Sequence, residues 1–120
     1  MKIAITSKGT DLDAEIDPRF GRAPYILIVD PETMEVMALD NSSNVNAFKG
    51  AGIQAAATIS EKEADVLLTG FCGPNAFTTL QAAGIKVIQD VKGKVRDAVE
   101  DYRKGKWSFS EAPNVEGHWT

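Results

Sequence analysis

Two apolar runs, Tyr25 to Asp30 and Glu35 to Asp40, are separated by four residues, with Pro31-Glu32-Thr33 as the tight connection. A link this short cannot carry a crossover, so the runs must pair as an antiparallel hairpin. An earlier run, Lys2 to Ser7, is short and Ile-rich and ends in the polar stretch Ser7-Lys8-Gly9-Thr10, which reads as a first strand. The chain thus opens with three strands. Beyond the polar loop Asn41 to Asn46 the hydrophobic period changes. Phe48, Gly52, Ala55 and Ile59 fall four, three and four residues apart, which places them on one helix face.

Val66-Leu67-Leu68 is a continuous apolar run stopping at Gly70, as a strand covered on both faces requires. Ala76, Phe77, Leu80 and Ala83 trace a second helix, with Gly84 as its C-cap. Ile85 to Ile88 is a fifth strand. Val95, Ala98, Val99 and Tyr102 form the stripe of a last helix that stops near Gly105. The order is therefore βββαβαβα. Right-handed crossovers make strands four and five parallel to strand one. The simplest solution is an α/β single domain: a five-stranded mixed sheet, strand one central, the hairpin on one side and strands four and five on the other. Helices cover both faces, in a ribonuclease-H-like arrangement. Residues 1–107 form this domain, and residues 108–120 read as a polar C-terminal tail.

Composition narrows the chemistry. Thirteen Lys+Arg against 17 Asp+Glu give a net charge of -4, no basis for general nucleic-acid binding. One Cys excludes an internal disulfide and any site built on several thiolates of one chain. The apolar runs fall far short of the ~20 residues a membrane helix needs. Lys8, Asp11 and Asp13 follow the first strand too closely for a signal-peptide core. A soluble, cytoplasmic monomer is expected.

Strand directions decide which loops meet. With strand one running upward, the loops Lys8–Ala23, Asn41–Asn46 and Gly70–Pro74 all lie at its carboxyl end, where open α/β sheets place ligands. The first loop carries Arg19-Phe20-Gly21-Arg22-Ala23-Pro24, and two guanidiniums suit an anion. Pairing of these arginines with Asp11, Asp13, Glu15 or Asp17 is the structural alternative. In Gly70-Phe71-Cys72-Gly73-Pro74-Asn75, Pro74 at the first helical position makes a helix start whose N–H groups attract anions. Beside that start Cys72 can ionise and take a soft metal, or it can simply pack. Asn46 suits a helix cap. Gly50 and Gly52 permit close approach by a ligand or a neighbouring strand, but Gly50-Ala51-Gly52 lacks the phosphate-loop spacing. His118 reads as solvated.

Asp17-Pro18-Arg19-Phe20-Gly21-Arg22-Ala23, Gly50-Ala51-Gly52, Gly70-Phe71-Cys72-Gly73-Pro74 and Ala83-Gly84-Ile85 together resemble the dinitrogenase iron-molybdenum cofactor biosynthesis family. The resemblance runs from Met1 to about Trp107. It implies a non-catalytic carrier of an anionic metal-sulfur cluster or its precursor, exchanged with a donor or recipient protein. One branch, the orange proteins, holds a molybdenum–copper sulfide cluster, so the cargo expected is Mo-Cu-S or Fe-Mo-S, bound largely without covalent ligation. Arg19, Phe20, Gly21, Arg22, Asn46, Gly50, Gly70, Cys72 and Gly73 are the expected cluster contacts, with Cys72 as metal ligand. Nitrogenase-linked carriers commonly use a His, and this chain's single His lies in the tail.

Rival chemistries fare unevenly. Two-metal phosphoryl transfer needs several carboxylates at strand ends, and the first strand offers Ile3-Ala4-Ile5 instead. A Cys-dependent hydrolase needs a base, and no His lies in the body of the chain. A binder of phosphate-bearing small molecules uses the same arginines, and a protein-interaction module would use Trp107, Phe109 and Trp119. Both remain open at this level.

Overall fold

The sheet of the computed structural model has strand order β3-β2-β1-β4-β5, as expected. The structure describes residues 1–42, 50–107 and 109. β1 (Ile3–Ser7) pairs antiparallel with β2 (Tyr25–Val29) and parallel with β4 (Val66–Leu68). β2 pairs antiparallel with β3 (Val36–Asp40), and β4 pairs parallel with β5 (Lys86–Ile88). Every residue of β1 is buried, as its central position demands. The three helices are α1 (Ala51–Glu61), α2 (Pro74–Ala82) and α3 (Val95–Arg103).

Side chains alternate across the sheet, and that alternation divides the core in two. Ala4, Ile26, Ile28, Leu67 and Val87 face one layer with Ala55, Ile59, Phe77 and Leu80 of α1 and α2. Ile3, Ile5, Leu27, Val29, Val66 and Leu68 face the other layer with Val95, Ala98 and Val99 of α3. Helices thus cover both faces. Among the described residues no helix is long and apolar enough to cross a membrane.

The short β2–β3 link closes through Asp30. Its Oδ1 accepts the Glu32 and Thr33 backbone N–H groups, and its carbonyl accepts Met34 N–H at 2.7 Å. Met34 takes φ 64°, the left-handed geometry that completes the reversal. Expected and observed elements differ by a residue or two at their ends. α2 begins two residues before its first apolar marker because Pro74 is preset for a helix start. Phe48 and Asn46, the expected approach to α1, lie outside the described residues. Trp107 packs on the α3 side of the core and its indole N–H donates to Ala98 O at 3.3 Å. His118, Trp119 and all of the expected tail except Phe109 also lie outside them.

Candidate binding site at the carboxyl end of the sheet

Buried polar side chains mark one end of the molecule. Among the described residues these are Thr6, Ser7, Asp17, Asn41, Thr69 and Gln89. All six stand at or just beyond the carboxyl ends of β1, β3, β4 and β5, or in the first loop. Each needs a partner, because an unpaired polar group in the interior costs about 1–3 kcal/mol. Thr6 Oγ1 donates to Asp17 O at 2.7 Å and lies 2.9 Å from Thr69 Oγ1. The Thr6 proton is committed to Asp17, so Thr69 must be the donor between the two hydroxyls. Asn41 Nδ2 donates to Ala23 O at 2.8 Å and Gly21 O at 3.3 Å. No described buried side-chain nitrogen or oxygen lacks a hydrogen-bond partner.

This polar layer fixes the arginine loop. Gly21 has φ 92°, and a Cβ there would lie 2.7 Å from Gly52 N. Only glycine satisfies both the left-handed backbone and the contact with α1. The close approach that Gly52 permits is therefore filled by the loop itself, and Ala51 and Gly52 are buried beneath it. Gly50, the N-cap of α1, is half-buried. On the other side Gly70 abuts Pro18, where a Cβ would also fall 2.7 Å from Pro18 Cα.

Between these contacts the two loops zip together. Arg19 and Phe71 form a parallel bridge. Phe71 N–H donates to Pro18 O at 2.6 Å, and Phe20 N–H donates to Phe71 O at 3.1 Å. Alternation then assigns the side chains. Phe20 and Cys72 turn inward, at 2% and 0% exposure, into the layer under α1 and α2. Arg19 and Phe71 stand outside, the Arg19 side chain 49% and Phe71 36% exposed.

The register corrects two expectations. Phe20 is a core residue whose burial contributes about 2–3 kcal/mol, not a surface contact for a cluster. Cys72 is packed rather than poised as a thiolate: burial pushes its pKa up to about 12, and its Sγ lies 3.8 Å from Gly73 O. Buried at 0% exposure, Cys72 takes the packing alternative in this structure. Among the described residues no three His, Cys, Asp or Glu side chains gather in a metal-ligating group.

Competition for the arginines is narrower than the acid count implies. Asp13 pairs with Arg96 at 3.1 Å and Glu15 with Lys8 at 2.9 Å. Asp17, almost wholly buried, accepts Arg19 N–H at 2.9 Å and lies 3.5 Å from its Nε. The Asp17 carboxylate thus sets the loop turn and partly offsets the Arg19 charge. Arg22 is half-buried, its backbone N–H donating to Arg19 O at 3.1 Å. Gly73 N-caps α2 with no acidic residue in the first turn, and Asn75 is exposed there. The structure brings Arg19, Gly21, Arg22, Gly50, Gly70 and Gly73 to one end. Asn46 lies outside the described residues. Asn41, Thr6 and Thr69 were not singled out from the sequence, although for Asn41 and Thr69 a polar residue directly after a strand was the available signal.

Comparisons with known proteins agree with this frame. The family model described as dinitrogenase iron-molybdenum cofactor matches residues 1–105. The apo form of the orange protein (ORP) from Desulfovibrio gigas is 46% identical, with TM-score 0.92 over 95% of this chain and 96% of that one. A Thermotoga protein assigned to NifB is 32% identical, with TM-score 0.77 over 90% and 91% of the two chains. A Methanocaldococcus jannaschii protein assigned as a dinitrogenase shares the fold at 18% identity and TM-score 0.66, over 94% and 97%. No curated protein matches the chain.

Proposed function

Because the chain belongs to the dinitrogenase iron-molybdenum cofactor family, we propose that the carboxyl end of its sheet binds an anionic metal-sulfur cluster, or a precursor, as cargo. The cargo class is molybdenum with copper or iron, and the protein acts as a carrier rather than an enzyme, in the cytoplasm, exchanging it with a donor or recipient protein. The observation that carries this reading is the Arg19–Phe71 bridge. It fixes Arg19 with its side chain half exposed, three residues from Arg22, while Asp13 and Glu15 are engaged elsewhere.

The donor set suits a cluster that brings its own sulfides. Guanidinium and backbone N–H groups donate hydrogen bonds to such an anion without replacing its inner ligands. Cys72, covered and neutral, supports the wall by packing. Few covalent ligands also means that the cargo can leave intact.

Anaerobic loading with tetrathiomolybdate and copper, followed by gel filtration and metal analysis, tests the reading. Wild type is expected to retain molybdenum, and the Arg19→Ala, Arg22→Ala double variant to lose it. Equal retention by the folded double variant would move the site elsewhere.

A further inference from the structure

A small cavity of about 210 Å³ adjoins the bridge, lined by Pro18, Gly70, Phe71, Asp90, Val91 and Lys92. Its walls are largely apolar, and Phe71 among them is exposed. The two charged side chains, Asp90 and Lys92, oppose each other in sign, and beside the cavity Asp17 offsets Arg19. This corner therefore combines an exposed aromatic with only a modest positive charge. Such a corner treats different anions differently.

A hard oxyanion concentrates charge on small oxygen atoms and is strongly hydrated, so apolar contact removes water that nothing here replaces. A thioanion of the same charge spreads it over large, polarisable sulfur atoms. Its dehydration costs less, and sulfur packs well against an aromatic edge, which carries positive partial charge. We infer that Phe71, with the Pro18–Val91 cavity behind it, is the specificity-determining element of the cargo site, selecting soft thioanions over oxyanions of equal charge and shape. The inference rests on the proposed cargo reading and deepens it.

Phe71 can play this part because its backbone is fixed and its side chain, 36% exposed, lies outside both core clusters. Both of its backbone groups are committed to the arginine loop, which holds the side chain outward next to Arg19. A substitution there changes the surface the ligand meets without emptying the interior.

Tetrathiomolybdate and molybdate are both tetrahedral dianions, so they isolate sulfur against oxygen. Anaerobic titration of each, without copper, is expected to show wild type binding the thioanion more tightly. Phe71→Ala should weaken the thioanion about tenfold, from lost apolar contact, and leave molybdate binding unchanged. Phe71→Leu should recover most of the loss. Equal weakening of both anions, or of neither, would overturn the inference. If the arginine double variant loses the thioanion while Phe71→Ala keeps it, the cargo site stands and the selectivity device falls. If wild type binds no thioanion, both fall.

Discussion

The two ends of the sheet are built on different principles. At the amino end the polar contacts are exposed: the Asp30 carboxylate closes the β2–β3 link locally, and Lys2 N–H donates to Asp65 Oδ2 at the surface. At the carboxyl end six polar side chains are buried, two glycines meet backbone at contact distance, and loops distant in sequence bridge each other. Burying polar groups is costly unless all are paired, and a chain that needed only to turn would not do it. The difference marks the end where the fold serves something besides itself.

The contrast breaks most sharply at Gly21. Gly21→Ala puts a Cβ against Gly52 N in a left-handed backbone, and a loss of about 3 kcal/mol is expected from urea unfolding. Next comes a matched pair. Asn41→Ala strands the Gly21 and Ala23 carbonyls, costs about 2 kcal/mol and impairs thiomolybdate loading. Asp30→Ala at the opposite end costs about 1 kcal/mol and leaves loading intact. Equal effects of the two on loading would erase the distinction between the ends.

Cys72→Ala should cost about 1 kcal/mol of packing and load as wild type does. In the folded protein the thiol should resist a thiol reagent at pH 8, where a group with pKa about 12 is protonated. The smallest effect lies at the first loop's outer edge. Arg96 holds the Asp13 carboxyl below its usual range, so the pair stabilises the fold above the ordinary aspartate pKa. That contribution fades as pH falls through the lower folded-state value. Asp13→Asn should therefore be slightly less stable than wild type at pH 7, with the difference closing in strong acid and in high salt, as denaturant midpoints would show.

Much of the frame was legible because it rests on local rules. The short link at Pro31–Thr33 dictates the hairpin, and the crossover rule orders β1, β4 and β5. That order carries three loops to one end. Gly70 and Gly73 stand out by type alone. The inward turn of Phe20 and Cys72 was not legible, because it follows from the pairing of Arg19 with Phe71, two residues far apart in the chain. A one-residue slip of that pairing would put Cys72 on Arg19's face or Phe71 on Phe20's. Asn41 escaped for a related reason: its partners are carbonyls, which carry no side-chain signature.

Backbone amide NMR during anaerobic titration with tetrathiomolybdate tests the cargo site most directly. Shifts concentrated in residues 17–23 and 70–76, with the Asp30–Glu35 and Lys62–Asp65 amides still, are the expected result. Shifts centred on the amino end, or spread evenly over the sheet, would contradict it.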